Sequence, residues 1–279
     1  MHEKKPYLLS IILPFVLGLI LTLFLYLTYT DAILKTLNEF EGSWLVITIL
    51  LARIGLLLLM GVYLFTRWLR QERQYLSDIP FLFAVFFLLV FFGKGYDLLH
   101  DLTFHFTDHL SFLFILKLRF IIAVMSIAPM YYLSIGMILF FLSLSDQFKA
   151  LRRKQVSKRI QNIIFLAVVS TELCVILFWL NVETSGVILP VIVIPSFFTV
   201  VLVFYFAHIN QRLSQVRPLV LTIAFALYLI SQIIRPIFRS LFGNTSLYIL
   251  VVESIDLLLF FLIFGGLIKS KSDLHYQKI

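Results

Sequence analysis

Residues 44–66 read WLVITILLARIGLLLLMGVYLFT, a run of 23 residues in which Arg53 is the only charged side chain. A helix needs about 20 mostly apolar residues to cross the ~30 Å hydrocarbon core of a bilayer, so this run predicts a transmembrane helix. Hydrophobic residues make up 61% of the 279-residue sequence and charged residues 14%. Soluble domains carry roughly 25% charged residues, and the composition therefore excludes an ordinary water-soluble globular protein.

Similar apolar runs along the chain predict an all-α, polytopic transmembrane helix bundle with about eight spans. The predicted spans are residues 7–30, 44–66, 79–99, 112–144, 160–181, 187–207, 218–238 and 247–268. Because the loops between them are short, we expect residues 1–279 to form a single transmembrane domain with no soluble domain. The first run is too long for the apolar region of a signal peptide and has no small-residue cleavage site, so we expect an uncleaved span.

The fourth run is the longest, and its first part contains Lys117 and Arg119. This part, residues 112–120, either crosses the membrane or lies at its interface. Both alternatives stay open at the level of sequence.

Lysine and arginine are concentrated in one set of loops and tails, which carries 16 of the 23 basic residues. The opposite loops carry acidic residues instead. Because loops rich in Lys and Arg stay in the cytoplasm, we predict that both termini are cytoplasmic, in a cell-membrane protein. The net charge of +8 is then mainly an orientation signal, and we expect no nucleic-acid partner.

The most basic stretch is residues 149–159. We interpret it as a contact for anionic lipid headgroups, or as a docking surface for an acidic cytoplasmic signalling partner. Its six basic residues are Lys149, Arg152, Arg153, Lys154, Lys158 and Arg159.

Seven ionisable residues fall inside the predicted spans, all at mid-membrane depth or in the outer halves. They are Arg53, Lys94, Asp97, Glu172, Arg235, Glu253 and Asp256. Such groups are costly in a bilayer unless they face a partner or a wet cavity, so we treat them as candidate ligand-binding residues. The alternative is that they form buried ion pairs that only set helix register.

Depths along helices that rise about 1.5 Å per residue suggest three pairings. Arg53 is predicted to pair with Asp256 or Glu172. Arg235 is predicted to pair with Glu253. Lys94 is predicted to pair with Asp97.

The inner halves of the spans carry no charged residue, which matters for transport. A solute needs a polar lining along its whole route, or helices that break near the midplane. The best candidates for broken helices are residues 93–95 in the third span and the Pro190/Pro195 pair in the sixth.

Residues 95–109 read GYDLLHDLTFHFTDH, with three of the six histidines. If the third helix continues beyond the membrane, Asp101, His105 and His109 share one face at i, i+4 and i+8. With His100 and Asp108 they become candidate ligands for a divalent metal such as zinc. A pH-responsive group and an ordinary amphipathic helix end are the alternatives.

No common catalytic motif is present, such as a His-Glu-x-x-His pair, a glycine-rich phosphate loop or a Gly-x-Ser-x-Gly turn. A single cysteine, Cys174, excludes an intrachain disulfide. An outward polar cluster above an uncharged inner half favours a receptor-like sensor of a small ligand, ion or pH that signals through a separate partner. A small-solute or ion transporter is the first alternative, and a metal-dependent enzyme acting on a lipid is the second.

Overall fold

The computed structural model describes residues 4–39, 42–72, 74–104, 106–181, 184–211, 213, 216–243 and 245–268. These residues form helices and connecting turns, with no strand among them. The α-helices are α1 (Lys4–Thr28), α2 (Thr30–Glu39), α3 (Ser43–Leu69), α4 (Ile79–Thr103), α5 (His109–Ser143), α6 (Lys154–Trp179), α7 (Ser185–Ile209), α8 (Pro218–Phe242) and α9 (Ser246–Leu267). A 3₁₀ helix, Asp146–Arg152, connects α5 to α6.

Seven helices, α3 to α9, are long and apolar enough to cross a membrane. The segments Ile12–Thr28 and Thr30–Glu39 pass the same test only together, across a bend of 62°, and would form an eighth span. The prediction of an all-helical bundle with multiple apolar spans is confirmed. The cytoplasmic location of both termini stays a prediction.

Local sequence signals explain several helix starts. Asp108 precedes α5, and its carboxylate accepts hydrogen bonds from the backbone N–H groups of Leu110 and Ser111. Thr245 caps α9 in the same way through Tyr248 N–H. Proline in the first turn begins α8 at Pro218, where a missing N–H costs nothing.

The α2 helix lies in a segment for which the sequence predicted a loop. It is amphipathic, and its buried Thr36 donates a hydrogen bond to the Leu102 carbonyl at 2.6 Å. Leu37 packs nearby against Leu98 and Leu50. Contacts with α4 therefore stabilise a helix that apolar length alone does not indicate.

The α5 helix runs without interruption through residues 112–120. Phe112, Leu116 and Phe120 are buried in one cluster with Ile176 of α6. Residues 112–120 therefore belong to the same helix as the rest of the span, and whether they cross the membrane or lie at its interface stays a prediction. At 35 residues, about 52 Å, α5 is longer than the hydrocarbon core is thick.

Six helices pack in a closed ring in the order α3, α4, α5, α7, α8 and α9, with α9 returning to α3. The α6 helix packs on the outside of α5, while α1 and α2 pack on α4. Phenylalanine side chains fill the interior of the helix ring. The aromatic centroid of Phe83 on α4 lies about 6.1 Å from the centroids of both Phe204 on α7 and Phe225 on α8. Dispersion contacts of this kind drive helix association where lipid removes the hydrophobic effect.

The last turns of α3 and α9 and the start of α8 meet at one end of the helix ring. Arg67 donates a side-chain hydrogen bond to the Leu267 carbonyl at 2.8 Å, and the Arg217 N–H donates to the Gly266 carbonyl at 2.8 Å. We call this the basic end, because Arg67 and the segment 149–159 lie there.

Candidate functional site: an ion-pair network across five helices

Seven charged side chains form one continuous set of ion pairs, which we call the ion-pair network. In spatial order its members are Arg119, Asp97, Lys94, Glu253, Arg53, Asp256 and Arg235. Positive and negative charges alternate throughout. The members come from α3, α4, α5, α8 and α9, which are five of the six helices in the ring.

Arg53 of α3 occupies the centre of the network. Its Nη2 atom lies 2.7 Å from Asp256 Oδ2, and its Nη1 atom donates to Glu253 Oε2. The two acidic residues are three positions apart on α9 and therefore share one helix face. The side chains of Arg53 and Asp256 are 1% and 0% exposed, so this pairing is sealed from solvent and lipid.

Lys94 of α4 extends the network toward α5. Its ammonium lies 3.2 Å from Glu253 Oε1 and 2.9 Å from Asp97 Oδ2. Asp97 also accepts a hydrogen bond from Arg119 Nε of α5. Lys94 and Asp97 lie three residues apart on α4, so one helix supplies both charges.

Both ends of the network are arginines, and both are more exposed than its centre. Arg119 is 28% exposed and pairs with Asp97, while Arg235 is 22% exposed and pairs with Asp256. Arg235 Nε is buried without a hydrogen-bond partner in the described part of the chain. Four cations against three carboxylates leave the network with a formal charge of +1.

Apolar packing closes the network on the side of the basic end. The Arg53 guanidinium lies over the Phe260 ring at 5.0 Å, a cation–π contact. Leu57 and Phe87, both fully buried, belong to the same core cluster as Phe260. A layer of aliphatic and aromatic side chains therefore separates the charges from the basic end.

Two of the predicted pairings are confirmed, namely Arg53 with Asp256 and Lys94 with Asp97. The predicted pairing of Arg235 with Glu253 is wrong, because Arg235 binds Asp256 instead. The depth predicted from the sequence is similar for Glu253 and Asp256, so depth does not distinguish between them. The neighbouring helix at each position decides the partner, because Glu253 contacts α3 and α4 whereas Asp256 contacts α3 and α8.

Glu172 lies apart from the network, so its alternative pairing with Arg53 is wrong. Its Oε1 atom accepts a hydrogen bond from Tyr131 OH, which also contacts the Ser196 hydroxyl. Its Oε2 atom is buried, with no hydrogen-bond partner among the described residues. This small polar cluster joins α5, α6 and α7 and contains no cation.

Arg119 belongs to the network but is not among the candidate residues predicted from the sequence. The sequence leaves open whether its segment crosses the membrane or lies at the interface, so Arg119 is not counted among the charges inside the spans. A signal was available in the short connection between α4 and α5. Antiparallel helices joined by a short loop place residues at similar distances from that loop near one another. Asp97 is six residues before the end of α4 and Arg119 ten residues after the start of α5, which a long arginine side chain spans.

The helical metal site proposed for residues 95–109 is not formed as predicted. The α4 helix ends at Thr103 and Asp108 caps α5, so Asp101 and His109 do not share one helix face. His105 lies outside the described residues. His100 Nδ1 lies 3.1 Å from Asp101 Oδ1, and among the described residues no three His, Cys, Asp or Glu side chains are placed to hold a metal ion.

The basic segment is exposed at the basic end. Arg152 Nη2 lies 2.9 Å from Asp146 Oδ1, and Arg152 Nε donates to the Ser143 carbonyl at 3.1 Å. Lys154 and Lys158 begin α6 and line a cavity with Arg152, whereas Lys149, Arg153 and Arg159 lie outside that lining. All six side chains are exposed.

No protein-family model matches this sequence, and comparison with curated proteins and with solved structures finds no similar chain.

Proposed function

We propose that this multi-pass membrane protein is a receptor-like sensor, and that the ion-pair network is the element that responds to its ligand. The supporting observation is that one network joins five of the six ring helices. A ligand that replaces one partner changes the balance at several helix contacts together. Binding thereby shifts a packing equilibrium, which is what a sensor requires.

A small monovalent anion, such as a carboxylate, fits this network better than a cation. The formal charge of the network is +1, and its more exposed ends are both arginines. Arg235 also holds one N–H without a partner in the described residues. Guanidinium groups bind carboxylates through two parallel hydrogen bonds, so the Arg235 end is the proposed entry point.

The response is then passed to the basic end, where the segment 149–159 is available to a separate partner protein or to anionic lipid headgroups. Transport has less support, because α4 is continuous through Gly93 and Gly95 and α7 is continuous through Pro190 and Pro195. Buried apolar side chains around Phe260 also pack between the network and the basic end among the described residues. A lipid-directed metalloenzyme has less support still, since no three of its candidate ligands come together among the described residues.

Coupling between the network and the basic end is the direct test. In a Cys174→Ser background, spin labels at Ser77→Cys and Ser157→Cys report the distance between the α3–α4 connection and α6 by electron paramagnetic resonance. We expect Asp256→Asn and Arg235→Gln each to shift this distance by about 2 Å or more, as in known interface rearrangements. Lys35→Gln removes an exposed lysine outside both the network and the basic end and is the matched control. Unchanged distances in both network variants would overturn the proposal.

Ligand class and transport are tested together in proteoliposomes with labelled acetate, lactate and benzoate as probes. We expect saturable binding of at least one probe without accumulation, and loss of that binding in Arg235→Gln. Failure of all three probes to bind overturns the anion assignment. Concentrative uptake that depends on Asp97 overturns the sensor and supports a transporter.

A further inference from the structure

A cavity of about 890 Å³ opens at the basic end, away from the ion-pair network. It lies between the α3–α4 connection, the last turns of α5 and the first turns of α6. Its walls combine aromatic side chains, including Trp68, Tyr132 and Phe140, with the cations Arg152, Lys154 and Lys158. This volume is in the range of roughly 300–1,000 Å³ found for small-molecule sites.

The charged part of the lining is cationic, with no acidic residue among the described lining side chains. Lys154 and Lys158 are four residues apart at the start of α6, so they share one face and repel each other. Neither has an ion-pair partner among the described residues. An anion between them removes this repulsion.

Arg152 is held in place beside the two lysines by Asp146 and by the Ser143 carbonyl. Its side chain is therefore oriented before a ligand arrives. Three cations line one cavity, which is an arrangement suited to a phosphate group.

The aromatic wall extends from this opening into the α5 span. Tyr132 is 11 residues before the end of α5 at Ser143, about 16 Å along the helix. Gln161 Nε2 donates to the Tyr132 carbonyl at 2.8 Å and lines the cavity. A Cβ atom on Gly136 would lie 2.7 Å from that same nitrogen, so glycine leaves room for this part of the wall.

We propose that this cavity binds an anionic phospholipid, with the headgroup phosphate at Arg152, Lys154 and Lys158 and the adjoining acyl chain along Tyr132 and Phe140. A cationic opening that continues into an aromatic wall fits a ligand with a charged head and an apolar tail. A free phosphate ion would use the cations but not the aromatic wall. The site is independent of the ligand proposed for the ion-pair network.

The test is native mass spectrometry of the full chain in detergent, titrated with dioleoylphosphatidylglycerol and, separately, with dioleoylphosphatidylcholine. We expect retention of the anionic lipid over the zwitterionic one. Lys154→Gln with Lys158→Gln is expected to weaken anionic lipid binding about 30-fold, from about 1 kcal/mol per lysine at a lipid surface. Lys149→Gln with Arg159→Gln removes the same charge outside the cavity and is the matched control.

Three outcomes overturn the proposal. If Lys154→Gln with Lys158→Gln retains as much anionic lipid as the native protein, the cavity is not the lipid site. If the control variant loses as much lipid binding as the cavity variant, the lipid binds to surface charge in general and not to the cavity. Inorganic phosphate binding as tightly as the lipid indicates a free-anion site instead. All substitutions are at exposed positions, and unchanged thermal unfolding verifies that each variant folds.

Discussion

Asp256 is the residue on which the ion-pair network depends most, because it pairs with two arginines on different helices. We expect Asp256→Asn to lower the free energy of unfolding by about 3–5 kcal/mol, since it leaves buried positive charge uncompensated. Arg235→Gln is expected to cost less, because Asp256 keeps Arg53 as its partner. Denaturant unfolding in detergent measures both values.

Asp146→Asn is the matched control for that series. Its ion pair with Arg152 involves a carboxylate that is 84% exposed, so we expect a change of only about 0–1 kcal/mol. An Asp256→Asn effect as small as the control would show that the network is not a stabilising element.

Asp108 offers a pH test at the residue scale, outside the membrane-spanning segments. Hydrogen bonds from the Ser111 side chain and backbone lower the pKa of its carboxyl. A lowered pKa in the folded state means stabilisation above the unfolded pKa of about 3.9, which is lost as the pH falls further. We expect the native protein to lose more thermal stability between pH 6 and pH 3 than Asp108→Asn does, because asparagine still caps α5 but does not titrate. Parallel pH profiles would contradict this assignment. The upper value, pH 6, lies about two units above this reference pKa, and pH 3 lies about one unit below it.

At the scale of helices, two neighbouring glycines in α9 make a matched pair. A Cβ atom on Gly266 would lie 2.8 Å from Leu221 Cδ2 and 3.3 Å from Leu221 N, so α8 and α9 are in close contact there. A Cβ atom on Gly265 would meet nothing within 4 Å. We expect Gly266→Ala to destabilise the protein by about 1–3 kcal/mol through overpacking.

Gly265→Ala is expected to be neutral or to stabilise by up to about 1 kcal/mol, because alanine is the better helix former. Thermal unfolding of the two variants measures the difference. Equal effects would show that the α8–α9 contact is not limited by side-chain size at Gly266.

The helices themselves were largely predictable, because apolar length is a local property of the sequence. The exceptions are informative. The α2 helix is stabilised by burial of Thr36 against α4, a contact that does not show in a hydropathy pattern. Prolines 190 and 195 did not break α7, since neighbouring helices tolerate a proline in a membrane span.

At the scale of the whole molecule, the orientation in the membrane is the main prediction. In a Cys174→Ser background, we expect Ser157→Cys at the basic end to react with a membrane-impermeant maleimide only after permeabilisation. Ser111→Cys near the opposite end of α5 is expected to react in intact cells, because Lys and Arg favour the cytoplasmic side. The reverse pattern would overturn the orientation.

An N-terminal tag tests the span count in the same cells. If α1 and α2 together form an eighth span, the tag shares the side of Ser157, as the sequence predicts. A tag on the side of Ser111 would mean that only α3 to α9 cross the membrane.

The sequence by itself determined that this protein is a multi-pass helical membrane protein and that charged residues such as Arg53 and Asp256 lie inside its spans. Both properties depend on residue order along one segment, so no long-range contact is needed to infer them. Only the tertiary structure decided that Arg235 binds Asp256, that Arg119 completes the network and that Glu172 is separate. Those pairings depend on how each helix is rotated about its axis, which is set by side-chain packing between helices that are distant in sequence.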